Sequence, residues 1–438
     1  MLTAFRNAFR IPELRRRVLF TTGLLIVFRL GCHIPTPGID GAALARFFAQ
    51  EKGTLFGLAD MFAGGALSKA AIFGLGIMPY ISASIIFQLL TAVVPSLERL
   101  AKEGEAGRKK IQQYTRYSTV VICLFQAFMI SRWLENPEAF GAVIVTNPGW
   151  EFRTMAVITL TAGTIFVMWL GEQITDHGIG NGISLIITAN IISRMPNAFL
   201  RAVELLQLGT LKPFVILFLL IVAVSMTAGV VILTQAQRRI PVQHAKRIVG
   251  RKVYSQQSSY IPLRINHAGM IPVIFASAIL MFPGTITQFS NSDVLRDVGA
   301  LLSPGTWLYN TLYVTLIIFF CYFYTAITFN PVTIADNMKK YGSFIPGIRP
   351  GKPTSEYFYR VMNRITLAGA MGLAFVAIFP IVISKGLRVD RLVASFCGGT
   401  GTIIVVGVVL DTVRQIESQL LMRHYDGFMK KVKLRGRR

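Results

Sequence analysis

Apolar residues in this chain fall in long blocks rather than the short alternations of a soluble fold. Ten blocks are long enough to cross a bilayer as helices: 18–36, 61–94, 117–134, 154–171, 183–200, 213–234, 268–288, 308–329, 365–384 and 397–413. The second block is irregular. From Asp60 to Tyr80 it reads DMFAGGALSKAAIFGLGIMPY, with glycines at 64, 65, 74 and 76, a proline at 79 and Lys69 in its middle. Glycine costs a helix interior about 1 kcal/mol relative to alanine, and proline removes a hydrogen bond and clashes with the preceding turn. Non-helical backbone persists at membrane depth only where protein buries it or water lines it. The pattern predicts a half-helix folded into a cavity, followed by a full helix from about 75 to 94. Such a half-helix is expected to make few contacts and to move easily. A tightly packed crossing of small residues explains the glycines, but not Lys69 or the excess length.

Charge sorts the connections. The chain has 438 residues, 53% of them hydrophobic, with 45 Lys and Arg against 21 Asp and Glu. Spans alternate sides, and the N-terminus, 95–116, 172–182, 235–267, 330–364 and the C-terminal tail together hold more than two-thirds of the basic residues. Positive charge stays on the cytoplasmic side, so both termini are expected there. The basic RRR at 15–17 precedes the first block, but no small-x-small cleavage site follows it, so this block reads as a retained span. The connection 172–182 carries no Lys or Arg. Its Glu172, Asp176 and glycines predict a tight packed turn.

Two of the basic connections are longer than orientation requires. The first, 235–267, is rich in Lys and Arg and has no acidic residue; the second, 330–364, contains PGIRPG. Proline and glycine fix the backbone on both sides of Arg349. A rigid turn presenting one arginine suits contact with an acidic protein or with RNA phosphate, and Arg251 and Lys252 could serve the same partner. Basic loops also bind anionic lipid.

Catalytic signatures are absent: there is no GxxxxGK[ST], HExxH or GxSxG. The five histidines are scattered. Cys32, Cys123, Cys321 and Cys397 lie in or beside four different blocks, with no metal spacing. No cofactor or metal is expected. The blocks are poor in ionisable groups, with Arg29, Gln88 and Asn190 their main polar members, whereas ion-coupled transporters keep costly charges inside the membrane. That counts against a solute transporter with a broken-helix site, and the missing motifs count against a membrane-embedded enzyme. A passive conduit driven by a partner remains.

Long segments resemble the bacterial SecY family, the central subunit of a protein-conducting channel: IPTPGID, MFAGGALSKAAIF, GIMPYISASII, KEGEAGRKKIQQYTRY, MWLGEQITDHGIGNGISLII, FNPVTIADNMKKYGSFIPGIRPG and CGGTGTIIVVGVVLDT. They occur in the family's order from about residue 12 onward. The resemblance implies an all-α polytopic membrane protein: ten transmembrane helices in two pseudo-symmetric five-helix halves around a central pore, with a plug half-helix. It implies a cytoplasmic N-terminus (1–17), an N-terminal half (18–200), a C-terminal half (201–413) and a basic cytoplasmic tail (414–438). The plug would lie at about 57–70 and include Met61, Phe62, Gly64, Gly65, Leu67 and Lys69. The pore ring maps onto Ile77, Ile81, Ile183, Ile187, Ile274 and Ile404, each of which reads as core packing on residue type alone. Stiff β-branched side chains in such a ring could gate ions by dewetting. Lateral-gate positions fall on Ser82, Gln88, Ser277 and Phe282. Arg251, Lys252 and Arg349 match a docking surface for the SecA motor and the ribosome. The implied partners also include the small membrane subunits SecE and SecG, signal-bearing preproteins and anionic lipids, in a bacterial plasma membrane.

Overall fold

The computed structural model describes residues 11–50, 60–140, 143–209, 211–244, 248–249, 252–253, 258–288, 299, 301–303, 305–387, 389, 391–394 and 397–431. It is mostly helical. Two compact units emerge: Met1–Gln207 with Met281–Ala300 and Ile404–Arg438, and Leu208–Leu280 with Leu301–Ile403.

The first unit contains α1 (Pro12–Gly31), α2 (Gly41–Gln50), α3 (Met78–Val93), α4 (Pro95–Lys102), α5 (Glu105–Leu134), α6 (Trp150–His177) and α7 (Gly182–Gln207). Prolines open α1, α3 and α4 at their first turn, where the missing N–H would have had no partner anyway. Pro79 thus starts a helix instead of interrupting one. Between α3 and α4 the axis bends by 98° at Val94. α5 begins well before the apolar block at 117, and α6 runs on to His177. Glu172 and Asp176 therefore sit on a helix, which corrects the expected turn. Glu172 accepts from Arg116 Nε at 2.7 Å and Gln112 Nε2 at 3.2 Å on α5, and the turn itself is confined to residues 178–181.

The second unit holds α8 (Pro213–Gln235), the hairpin β1 (Gln237–His244) and β4 (Ser258–Arg264), α10 (Trp307–Thr328), α11 (Pro331–Lys340), β5 (Ser343–Phe344) and α12 (Lys352–Leu387). Helices α9 (Ile271–Gln288) and α13 (Gly399–Lys431) run across the unit boundaries. A two-residue ladder, β2 (Ile248–Val249) with β3 (Lys252–Val253), lies inside the hairpin connection. The basic connections are thus structured, which an all-helical reading of the blocks does not anticipate. β1 pairs antiparallel with β4 from Gln237↔Arg264 to Gln243↔Ser258, and its far end pairs with β5. Ile240 and Val242 alternate inward from β1. They join Leu263, Phe329, Met338, Ile345, Phe358, Val361, Met362 and Ile365 in one buried cluster. Asn330 caps α11, its Oδ1 accepting from the N–H groups of Val332 and Thr333. α12 starts at 352, not 365, so much of the second basic connection is its first turns.

Among the described residues, seven helices are long and apolar enough to span a membrane, and the bent α3–α4 pair is an eighth candidate. α1 and the shorter apolar helix Ile271–Met281 occupy two further blocks. Helix lies over every one of the ten blocks.

Candidate functional site

The irregular second block is where the first unit departs most from regular structure. Residues 60–63 make a single helical turn, and turns follow as far as Ile77. This corrects the expected half-helix over 60–80; residues 57–59 lie outside the described residues. Gly64, Gly65 and Gly76 have φ of 68°, 83° and 58°, a region that costs other L-residues about 1–2 kcal/mol. Three glycines in left-handed conformation cannot continue a helix.

The segment is also far from loosely held. Asp60, only 3% exposed, accepts from Ser68 N at 2.9 Å through Oδ1 and pairs with Arg194 of α7 at 3.1 Å through Oδ2. One turn earlier on α7, fully buried Asn190 donates Nδ2–H to the Phe62 carbonyl at 2.6 Å. Residues four apart share a helix face, so α7 presents both groups together. Arg29, in the last turn of α1, donates Nη1–H to the Gly64 carbonyl at 3.1 Å. A Cβ built on Gly64 would fall 2.1 Å from Asn190 Oδ1 and 2.9 Å from Arg29 Nη1. Only glycine fits there.

Further on, Ala70 and Ile72 stitch to the connection after α1: Thr36 N–H donates to the Ala70 carbonyl at 2.7 Å, and Ile72 N–H to the Ile34 carbonyl at 3.0 Å. Phe73 stacks on Phe28 of α1 and Phe166 of α6, with centroids 5.8 and 6.0 Å away. α6 approaches so closely at Gly163 that a Cβ would lie 2.0 Å from the Ile72 carbonyl oxygen. A segment tied on three sides is not one held by few contacts.

Of the plug positions, Phe62 and Gly64 are buried, Met61, Gly65 and Leu67 are half-buried, and Lys69 is exposed. Ile77 and Ile81 flank the first turn of α3, joined by an Ile81 N–H to Ile77 carbonyl bond of 3.2 Å. Both are buried, as are Ile187 on α7 and Ile404 on α13, while Ile183 is half-buried. Ile274 is buried in the second unit. Ser82 and Gln88 are half-buried on α3. Ser277 on α9 donates its hydroxyl to the Ile274 carbonyl at 2.8 Å. The Phe282 side chain lies outside the described residues, as do Arg251 and the Lys252 side chain. Arg349 is exposed, while its carbonyl accepts from Thr354 Oγ1 at 2.8 Å. The backbone beneath this arginine is anchored as the PGIRPG pattern predicts.

Sequence reasoning missed Asp60 and Arg194 as functional candidates. Arg194 stands just before Pro196 and reads as the end of a span; in the fold α7 continues through that proline to Gln207.

A family model described as SecY matches residues 71–413. The protein translocase subunit SecY of Escherichia coli (strain K12) is 47% identical over 430 residues, covering 97% of this chain and 96% of the relative. That of Thermotoga maritima is 43% identical over 445 residues, covering both chains completely. Among solved structures, a protein-conducting channel superposes with a TM-score of 0.62 at 18% identity, covering 92% of each chain. Sec61 in the canine ribosome–channel complex gives 0.61 at 17% identity, again covering 92% of each. At such identities these structures speak for the fold, and the end-to-end relatives speak for descent: the chain belongs to the SecY family.

Proposed function

We propose that this chain is the channel subunit of a protein translocase in a bacterial plasma membrane. It passes unfolded secretory chains across the bilayer and releases apolar helices sideways into it. The observation that carries this reading is an interrupted span packed into the interior of its own unit, in a chain whose end-to-end relatives are protein translocase subunits. Residues 60–70 act as the stopper, and the buried isoleucines 77, 81, 187 and 404 supply an apolar constriction. No energy source is visible in the sequence, so the drive comes from partners: the SecA motor or a ribosome, docking on the basic connections and above all on Arg349. SecE and SecG complete the membrane complex, and anionic lipid meets the basic face. Charge bias supports cytoplasmic termini.

Deleting residues 60–70 from the reconstituted complex tests the stopper. The expected result is a channel that still co-purifies with its small membrane subunits but has a raised resting ion conductance. Conductance equal to that of the intact channel would remove the stopper role.

A further inference from the structure

We propose that Asp60, Arg194, Arg29 and Asn190 form a polar clasp that sets how firmly the channel stays shut, with the Asp60–Arg194 pair as its principal element. The inference rests on the stopper reading of residues 60–70 and names what regulates it.

Three observations converge. Of the side-chain bonds to the segment from α1 and α7, those from Asn190 and Arg29 go to backbone carbonyls, of Phe62 and Gly64. They fix the position of the backbone whatever side chains the segment carries. The third bond is ionic, from Arg194 to a carboxylate that also braces the segment internally through Ser68 N–H. Asp60 therefore links the segment's own shape to its attachment: losing the pair loosens the attachment and leaves the bonds of Arg29 and Asn190 in place. The Asn190 amide, finally, is oriented to serve Phe62, and its Oδ1 is buried without a partner among the described residues. An unsatisfied buried acceptor is costly. The shut arrangement carries that cost, and the released arrangement, with Asn190 open to water, does not. The clasp is thus strong enough to hold and poised to open.

Apolar contacts at 62, 66 and 73 would hold the segment too, but apolar packing is non-directional and carries no charge for salt to screen. Arg194 reaches solvent while Asp60 is almost fully buried, so salt screens the pair in part. This difference makes the clasp measurable.

The test uses the complete complex in vesicles, with ion flux and thermal unfolding read side by side for wild type, Asp60→Asn, Arg194→Gln and the double variant. Asp60→Asn keeps an oxygen for Ser68 N–H and removes only the charge. Each single variant is expected to raise resting flux about tenfold or more, as befits a charge-assisted bond. The double variant should leak no more than the worse single one, because both changes remove the same pair. Raising salt should increase the wild-type leak relative to that of Asp60→Asn at the same ionic strength. Arg194→Lys, which keeps the charge, is the second variant should Arg194→Gln fail to fold: its flux should lie between wild type and Asp60→Asn. Tight Asp60→Asn and Arg194→Lys channels beside a leaky 60–70 deletion would overturn the clasp and leave the stopper standing. A tight deletion channel would remove both. Additive leaks in the double variant would also overturn the pairing.

Discussion

Replacing Gly64 by alanine should open the channel, and the neighbouring Gly65→Ala is its built-in control. Both glycines have left-handed φ, 68° and 83°, so both substitutions incur a conformational cost of about 1–2 kcal/mol. Their surroundings differ. At Gly65 an added Cβ meets nothing within 4 Å among the described residues. At Gly64 it would fall 2.1 Å from Asn190 Oδ1 and 2.5 Å from Asn190 Cγ. Asn190 is buried and engaged with Phe62, so it cannot swing aside without breaking that bond. Leaving the buried amide and carbonyl unpaired costs about 1–3 kcal/mol, and overpacking adds about 1–3 kcal/mol. Gly64→Ala should therefore disfavour the seated segment by about 2–6 kcal/mol more than Gly65→Ala does. At about 1.4 kcal/mol per factor of ten, the closed-to-open ratio shifts by more than an order of magnitude. Ion flux through reconstituted vesicles measures it, with thermal unfolding alongside. Equal leaks from the two variants would refute the steric argument. A large loss of thermal stability in Gly64→Ala without any leak would place the segment in the structural core.

Three further outcomes are expected. Arg349→Glu should abolish motor-driven transport while leaving insertion and abundance intact, by reversing the proposed docking contact, on the order of 2–5 kcal/mol; normal SecA-driven export by the purified variant would refute it. Serine in turn at Ile77, Ile81, Ile187 and Ile404 should raise ion leak more than it lowers thermal stability, because a polar waist wets more readily. The control is Ile85→Ser, at another buried position of α3, which should lose stability without leaking. His267 is half-buried ahead of α9; burial first, and then the nearby Arg264, hold its imidazole below the usual histidine range. Its unfolded form binds the proton more readily, so its stability contribution is complete above about pH 6.5 and declines as pH falls toward the lowered folded value. Unfolding temperatures measured across that window should slope for wild type and flatten for His267→Gln.

Much of this was legible because membrane spans announce themselves by length and apolarity. Helix lies over all ten blocks, and the block that combines glycines with Lys69 and Pro79 is the one the fold interrupts. What fills the interruption was not legible. Phe62 and Gly64 are held by Arg29 and Asn190, and Asp60 by Arg194. No local pattern links residues so far apart in the chain. The structured basic connections were missed for other reasons. β1 carries charge on one side and Pro241 within it, so its alternation is weak. The first turns of α12 bury Phe358, Val361, Met362 and Ile365 among charged neighbours. That is helical spacing, but too polar on average to stand out beside a span.

α12 has 36 residues without a described break, about 54 Å of continuous helix against a hydrocarbon layer of about 30 Å. It begins one residue after the PGIRPG turn, and its first turns are cemented to the hairpin and α11 through Phe358 and Met362. Mechanically it is a strut. If a motor braces on the turn at Arg349, as proposed, and thrusts a polypeptide forward, the recoil would pass along a continuous helix and not be absorbed by a slack loop. The longest helix among the described residues would thereby turn the proposed docking site into a footing.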